Sequence, residues 1–322
     1  MAKKRKKKPK YRLKENAKRF LIYFGVCSLI LLYAITGLAK RIKEYQYTQT
    51  NEYKLQELGY SKKQTTDIIN NIDDKYITAI LEEDEVINFY SDLAGNKYYI
   101  KDNYTKYLEY YEYHKTTDAK DIVSIINTGS NQEWYTNTKK ANTSKNPILI
   151  NKFTYLEEDY KPDNLVNINL QTAYSGHKAT EETVNAYYDM HAALKEETGK
   201  TIMVSASYRS YKSQQERYNQ YKMTSTEFAN TYCERAGHSE HQLGIALDLV
   251  SKYKTTIEEE EFEWLKNNAY KYGFIIRYPK DKYKVTKHLE DNHFTYVGKT
   301  IAKVIHDENI TLDEYYAYYI AK

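Results

Sequence analysis

Residues 20–39, Phe20 to Ala39, carry no charged side chain. About 20 apolar residues in helical conformation match the ~30 Å hydrocarbon core of a bilayer. Ahead of this run, residues 1–19 hold Lys and Arg almost throughout, with Glu15 as the one acid. Positive charge N-terminal to a hydrophobic helix keeps that end in the cytoplasm. The chain therefore reads as a cytoplasmic basic tail (1–19), a transmembrane helix (20–39) and an exterior remainder. A cleaved signal peptide is the competing reading, with Gly37-Leu38-Ala39 as a small-x-small site. The apolar run exceeds the roughly 7–15 residues of a typical signal core, which favours an uncleaved anchor. Cys27 lacks a lipobox, since Val26 stands where a small residue is needed.

The net charge of +4 conceals a division. Of the 48 basic and 44 acidic residues, 14 basic and one acidic lie at or before Lys43, leaving 34 against 43 beyond it, a net of −9. An acidic exterior part offers no electrostatic attraction for nucleic acid. The basic tail suits the anionic inner face of the cytoplasmic membrane. Cys233 is the one cysteine outside the apolar run, so no intrachain disulfide forms there.

Residues 44–144 are polar and rich in Tyr, Lys and Asn, and carry no ligand constellation. They read as a small helical spacer or accessory module, with Gly59-Tyr60-Ser61 ending one helix and capping the next. Residues 145–322 mix helices and strands without strict alternation, which predicts an α+β domain with a small antiparallel sheet and flanking helices. Helices are expected over 180–197, 214–223 and 258–272, and strands over 202–205, 274–277 and 294–297.

The chemistry concentrates in Ser239-Glu240-His241-Gln242-Leu243-Gly244-Ile245-Ala246-Leu247-Asp248. Imidazole and carboxylate are both zinc ligands, and a seven-residue offset across Gly244 suits a loop running into a strand of mixed burial. Downstream, Glu290-Asp291-Asn292-His293 supplies a third ligand, His293, and a proton acceptor, Glu290. Of the eight histidines, His114, His177, His191 and His306 lack a partner motif and read as surface residues. His238 reads as a residue that would orient a ligand. His288 lies outside the Glu-x-x-His spacing and is not taken as a ligand.

Ser-x-His-x-x-Gly-x-Ala-x-Asp followed by Glu-x-x-His resembles the signature of LAS-type zinc peptidases, and most closely the VanY-type D-alanyl-D-alanine carboxypeptidases. Ser207-Tyr208-Arg209-Ser210-Tyr211 with Gln214 resembles that family's segment bearing a substrate-binding arginine. Gly273 to Pro279 and Phe294 to Gly298 fit the same order. Between the Glu and the last His, members often carry Pro-Trp where this chain has Asp291-Asn292.

The resemblance implies a Zn²⁺ cofactor held by His241, Asp248 and His293, with Glu290 as catalytic base. Arg209 would hold the substrate's terminal carboxylate, with Gln214, Ser239 and Tyr278 as further substrate contacts. Arg277 and Tyr278 otherwise read as residues that pack and snorkel. The implied activity is removal of terminal D-alanine from peptidoglycan stem peptides outside the cell membrane. The alternatives are an L,D-carboxypeptidase trimming tetrapeptide stems, or an inactive wall-binding protein.

Overall fold

The computed structural model describes residues 14–170 and 172–321. Most of the basic tail lies outside the described residues. The chain falls into two compact units that part between Gly95 and Asn96.

In the first unit, helix α1 spans Glu15–Thr48 and buries no residue. It is longer than the apolar run itself, and its length and composition suit a membrane span or a signal sequence. Four short helices follow: α2 (Asn51–Leu58), α3 (Lys62–Asn71), α4 (Asp74–Ile80) and α5 (Asn88–Ala94). Gly59 ends α2 in the left-handed region, at φ 116°, where a side chain is unfavourable. Ser61 then opens α3 with a reciprocal capping box to Gln64. Leu55, Ile68, Ile77 and Leu93 form the buried side of these helices.

In the second unit, α6 (Tyr104–Tyr113) and α7 (Ala119–Thr128) precede two small pairings. These join β1 (Lys139–Lys140) to β2 (Thr154–Tyr155), and β3 (Leu165–Asn167) to β4 (Lys178–Thr180). Helix α8 (Glu181–Thr198) stops at Gly199, which takes φ 73°. The central sheet is built from β5 (Ile202–Ala206), β6 (Ala246–Ser251), β7 (Phe274–Ile276) and β8 (His293–Tyr296), in the order β5-β6-β8-β7 with every pairing antiparallel. Helix α9 (Tyr211–Lys222) begins three residues before the expected 214, because Ser210 caps it through the backbone N–H of Ser213.

Ser124 on α7 donates to Glu314 at 2.6 Å, and Lys284 reaches Asp121 at 2.9 Å. These ties hold residues either side of position 144 in one unit.

Strand β6 was expected to be of mixed burial, yet all six of its residues are buried. The cause is its central position. Side chains alternate between faces along a strand, and both faces here are covered. Leu247 and Leu249 of β6 join Phe294 of β8, Ile202 and Val204 of β5, and Tyr187 and Leu194 of α8 in the main apolar core. Asp248, His293 and Thr295 occupy the alternate positions. The sheet thus has one apolar face and one face that carries buried polar chemistry.

Candidate metal centre and active site

The sheet register makes the first pair. Asp248 on β6 stands directly opposite His293 on β8, and cross-strand neighbours lie about 4.5–5.5 Å apart at Cβ. His241 is delivered by a 3-10 turn, Glu240–Leu243, which Gly244 ends at φ 68°. A Cβ on Gly244 would sit 2.8 Å from Leu165 Cδ2, so the turn needs glycine both for its backbone and for space. The Arg209 loop is tied to the same turn, its backbone N–H donating to the His241 carbonyl at 3.2 Å.

The three side chains converge. His241 Nε2 and His293 Nδ1 each lie 3.1 Å from Asp248 Oδ1. All three atoms are sealed from solvent and make no well-formed hydrogen bond. Buried polar atoms normally have partners, so three orphans aimed at one point call for a shared ion. Zinc bonds of about 2.0–2.1 Å in a tetrahedron put ligand atoms about 3.3 Å apart, which these distances match. A His, Asp, His donor set suits that metal.

The ring orientations are set from outside the cradle. His241 Nδ1 donates to the Ser207 carbonyl at 2.7 Å, which leaves Nε2 as the free acceptor. His293 Nε2 faces Glu240 Oε2 at 3.7 Å, which turns Nδ1 inward. Glu240 is itself fixed by Arg277 Nε at 2.6 Å and Thr295 Oγ1 at 2.5 Å.

Electrostatics follow this arrangement. Burial, then the Arg209 guanidinium, lowers the His241 pKa and keeps that ring a neutral donor. Burial opposes charge on His293, but the carboxylates of Asp248, Glu240 and Glu290 outweigh it and raise that pKa. A field that draws a proton there also draws a dication. Glu290 Oε2 lies 3.3 Å from His293 Nδ1. Burial and Asp248 push the Glu290 pKa up, but the facing imidazoles of His288 and His293 prevail and lower it.

The remaining expected residues divide. Arg209 Nε donates to Gln214 Oε1 at 2.8 Å, and Arg209 Nη1 stands 3.7 Å from Asp248 Oδ2. Gln214 is buried, and its amide donates to the Glu234 carbonyl at 2.7 Å, so it braces Arg209. Ser239 is buried, with its hydroxyl unpartnered. Tyr278 is buried and donates to Glu234 Oε1 at 2.8 Å, its ring against His288 and His293. His238 Nδ1 pairs with the Asn151 carbonyl at 2.8 Å, so it orients that loop and not a ligand ring. Cys233 is buried, which pushes its thiol up to about 12 and leaves it unreactive.

Several expectations fail. Arg277 does not snorkel. It is 1% exposed and bridges Glu240 and Asp313, each at 2.6 Å. His191 is buried beside Tyr187 on α8, where a surface position was expected. His177 is half-buried, with Nδ1 3.0 Å from Ser207 Oγ. Burial opposes charge on Arg217, one turn beyond Gln214 on α9, but Tyr221, Glu290 and Asp248 outweigh it and raise its pKa. The i, i+3 spacing of Gln214 and Arg217 was a visible signal for it. Glu234 had no such signal.

Residues 176–299 match the family model described as VanY, D-alanyl-D-alanine carboxypeptidase. The chain is 34% identical over 222 residues to the putative carboxypeptidase YodJ of Bacillus subtilis, covering 63% of this chain and 81% of that protein. It is 27% identical over 204 residues to a D-alanyl-D-alanine carboxypeptidase of Enterococcus faecium, covering 62% and 67%. Among solved structures it is similar to the LD-carboxypeptidase LdcB, at 35% identity and a TM-score of 0.49, over 53% of this chain and 85% of that one.

Proposed function

The chain belongs to the VanY family of D-alanyl-D-alanine carboxypeptidases, and from that premise we propose that it is a zinc-dependent D,D-carboxypeptidase. Its substrate is the peptidoglycan stem peptide, from which it removes the terminal D-alanine. Helix α1 anchors it in the cytoplasmic membrane, with the peptidase facing the wall. In this reading residues 44–144 contribute no catalytic group.

One observation carries the reading: the orphaned, solvent-sealed atoms of His241, Asp248 and His293 converge, with Glu290 at their edge. Zinc held there would supply Lewis acidity, polarising the scissile carbonyl and acidifying water. Glu290 takes the proton of the attacking water and passes it to the leaving amine. Arg209, braced by Gln214, turns its Nη edge to the substrate's terminal carboxylate. The exclusion of solvent from this face strengthens each of these interactions.

The test is digestion of pentapeptide and tetrapeptide muropeptides by the purified full chain, with and without a chelator. Chelator-sensitive release of D-alanine from the pentapeptide is expected. Release from the tetrapeptide alone would replace the D,D assignment by L,D. A zinc-loaded protein that cleaves neither stem would be a wall-binding protein.

A further inference from the structure

Beside the first cradle lies a second convergence of ligand atoms: Glu234 Oε1, His288 Nε2 and Glu290 Oε2. His288 Nε2 stands 3.4 Å from Glu234 Oε1 and 3.5 Å from Glu290 Oε2. His288 is 1% exposed, and neither of its ring nitrogens makes a well-formed hydrogen bond. An imidazole buried this completely without partners is costly. The separations exceed the about 2.7–3.2 Å of good hydrogen bonds. They match the about 3.3 Å edge of a tetrahedral zinc shell.

The group is also held in place. The Tyr278 hydroxyl fixes Glu234 Oε1, and its ring meets the His288 ring edge-on, with centroids 4.4 Å apart. The Glu234 carbonyl is pinned by Gln214. Neither Glu234 nor His288 belongs to the His241, Asp248, His293 group.

We propose that Glu234, His288 and Glu290 form a second divalent-metal site that takes zinc and, when filled, withdraws Glu290 from its role as base. One imidazole and two carboxylates select a borderline ion such as Zn²⁺ over Mg²⁺ or Ca²⁺. Two carboxylates balance the charge of one dication. The second ion binds more weakly than the first. Glu290 Oε2 is 3.3 Å from a ligand atom of the first cradle, so the two ions repel at close range. Excess zinc is then an inhibitor of the enzyme that needs zinc.

The inhibitory part rests on Glu290 being the base; the number of ions bound does not. The experiment titrates metal-free full chain in detergent with Co²⁺, read by absorption, and with Zn²⁺, read by elemental analysis. The wild type should bind two equivalents, the second more weakly. His288→Ala and Glu234→Gln should each bind one, and their retained first-equivalent Co²⁺ spectrum reports an intact fold. D-alanine release should fall in the wild type as the second equivalent binds, and that fall should be absent in both variants. A wild type that saturates at one equivalent overturns the site, as does a second equivalent retained by both variants. A second ion that binds without slowing release overturns the inhibition. If no stem peptide is cleaved at any zinc level, the functional reading fails while the count of bound ions still decides the site.

Discussion

The guanidinium of Arg277 donates to Glu240 at 2.6 Å with both side chains sealed from solvent, and the other face of that carboxylate looks toward the outer nitrogen of His293. A buried ion pair therefore sets the orientation of a proposed metal ligand. Removing one partner of such a pair costs about 3–5 kcal/mol, because the other charge is left stranded. Arg277→Met strands both Glu240 and Asp313 and should lower stability by that order in urea unfolding. Glu240→Gln should weaken zinc binding about 10–100-fold, the usual cost of losing a ligand's outer partner. Unchanged zinc affinity in Glu240→Gln would show that His293 is oriented by something else.

Ligand and base separate by mutation. His241→Ala, Asp248→Asn and His293→Ala should each lose tightly bound zinc and turnover together. Glu290→Gln keeps the size and removes the base, so the tight zinc should remain while turnover drops about 10²–10⁴-fold. Metal content and D-alanine release are measured on the same preparations. Loss of tight zinc in Glu290→Gln with retention in His293→Ala would invert the two roles.

Arg209 is braced at Nε by Gln214 and approaches Asp248 only to 3.7 Å. Its pairing with a substrate carboxylate is worth about 1.5–3 kcal/mol as a charged hydrogen bond. Arg209→Ala should therefore cut kcat/KM on a free-carboxylate stem by one to two orders of magnitude or so, and far less on a C-terminally amidated stem. Equal losses on both substrates would assign Arg209 to holding Asp248.

Lys152 supplies a pH dependence of stability. It is buried, donates to the Asn230 carbonyl and lies over the Trp134 ring at 4.1 Å. Burial pulls its pKa down to about 7, against about 10.4 in an unfolded chain. Between these values the unfolded chain binds the extra proton, so stability rises with pH. Below about 7 both states are protonated and the cost of the buried charge is fully present. Melting of the wild type should gain several degrees from pH 7 to pH 9 relative to Lys152→Met. Parallel profiles for the two proteins would remove Lys152 as the source.

Protease added to intact cells tests the anchor. Digestion should remove the chain beyond about Lys43 and spare the basic tail. Protection of the C-terminal unit would reverse the orientation.

What the sequence determined by itself is local. Alternation over residues 245–250 marked a strand, Gly59 marked the end of a helix and Gly244 a loop, both glycines at φ above 60°. The seven-residue offset of His241 and Asp248 and the Glu-x-x-His spacing picked out the residues of the cradle. These follow from chain geometry over a few residues, which any sequence displays. The tertiary structure decided everything that depends on which strands become neighbours. Because β6 pairs with β8, Asp248 faces His293, and because β6 is central its polar face is buried. The ring orientation of His241 depends on a carbonyl 34 residues away, and that of His293 on a carboxylate whose Thr295 partner lies 55 residues off. Arg277 gave no sign of being a buried bridge, since its partners Glu240 and Asp313 meet it only once the sheet and the C-terminal helices have packed. Glu234 and His288, 54 positions apart, meet for the same reason: spacing along the chain carries no information about contacts that only packing creates.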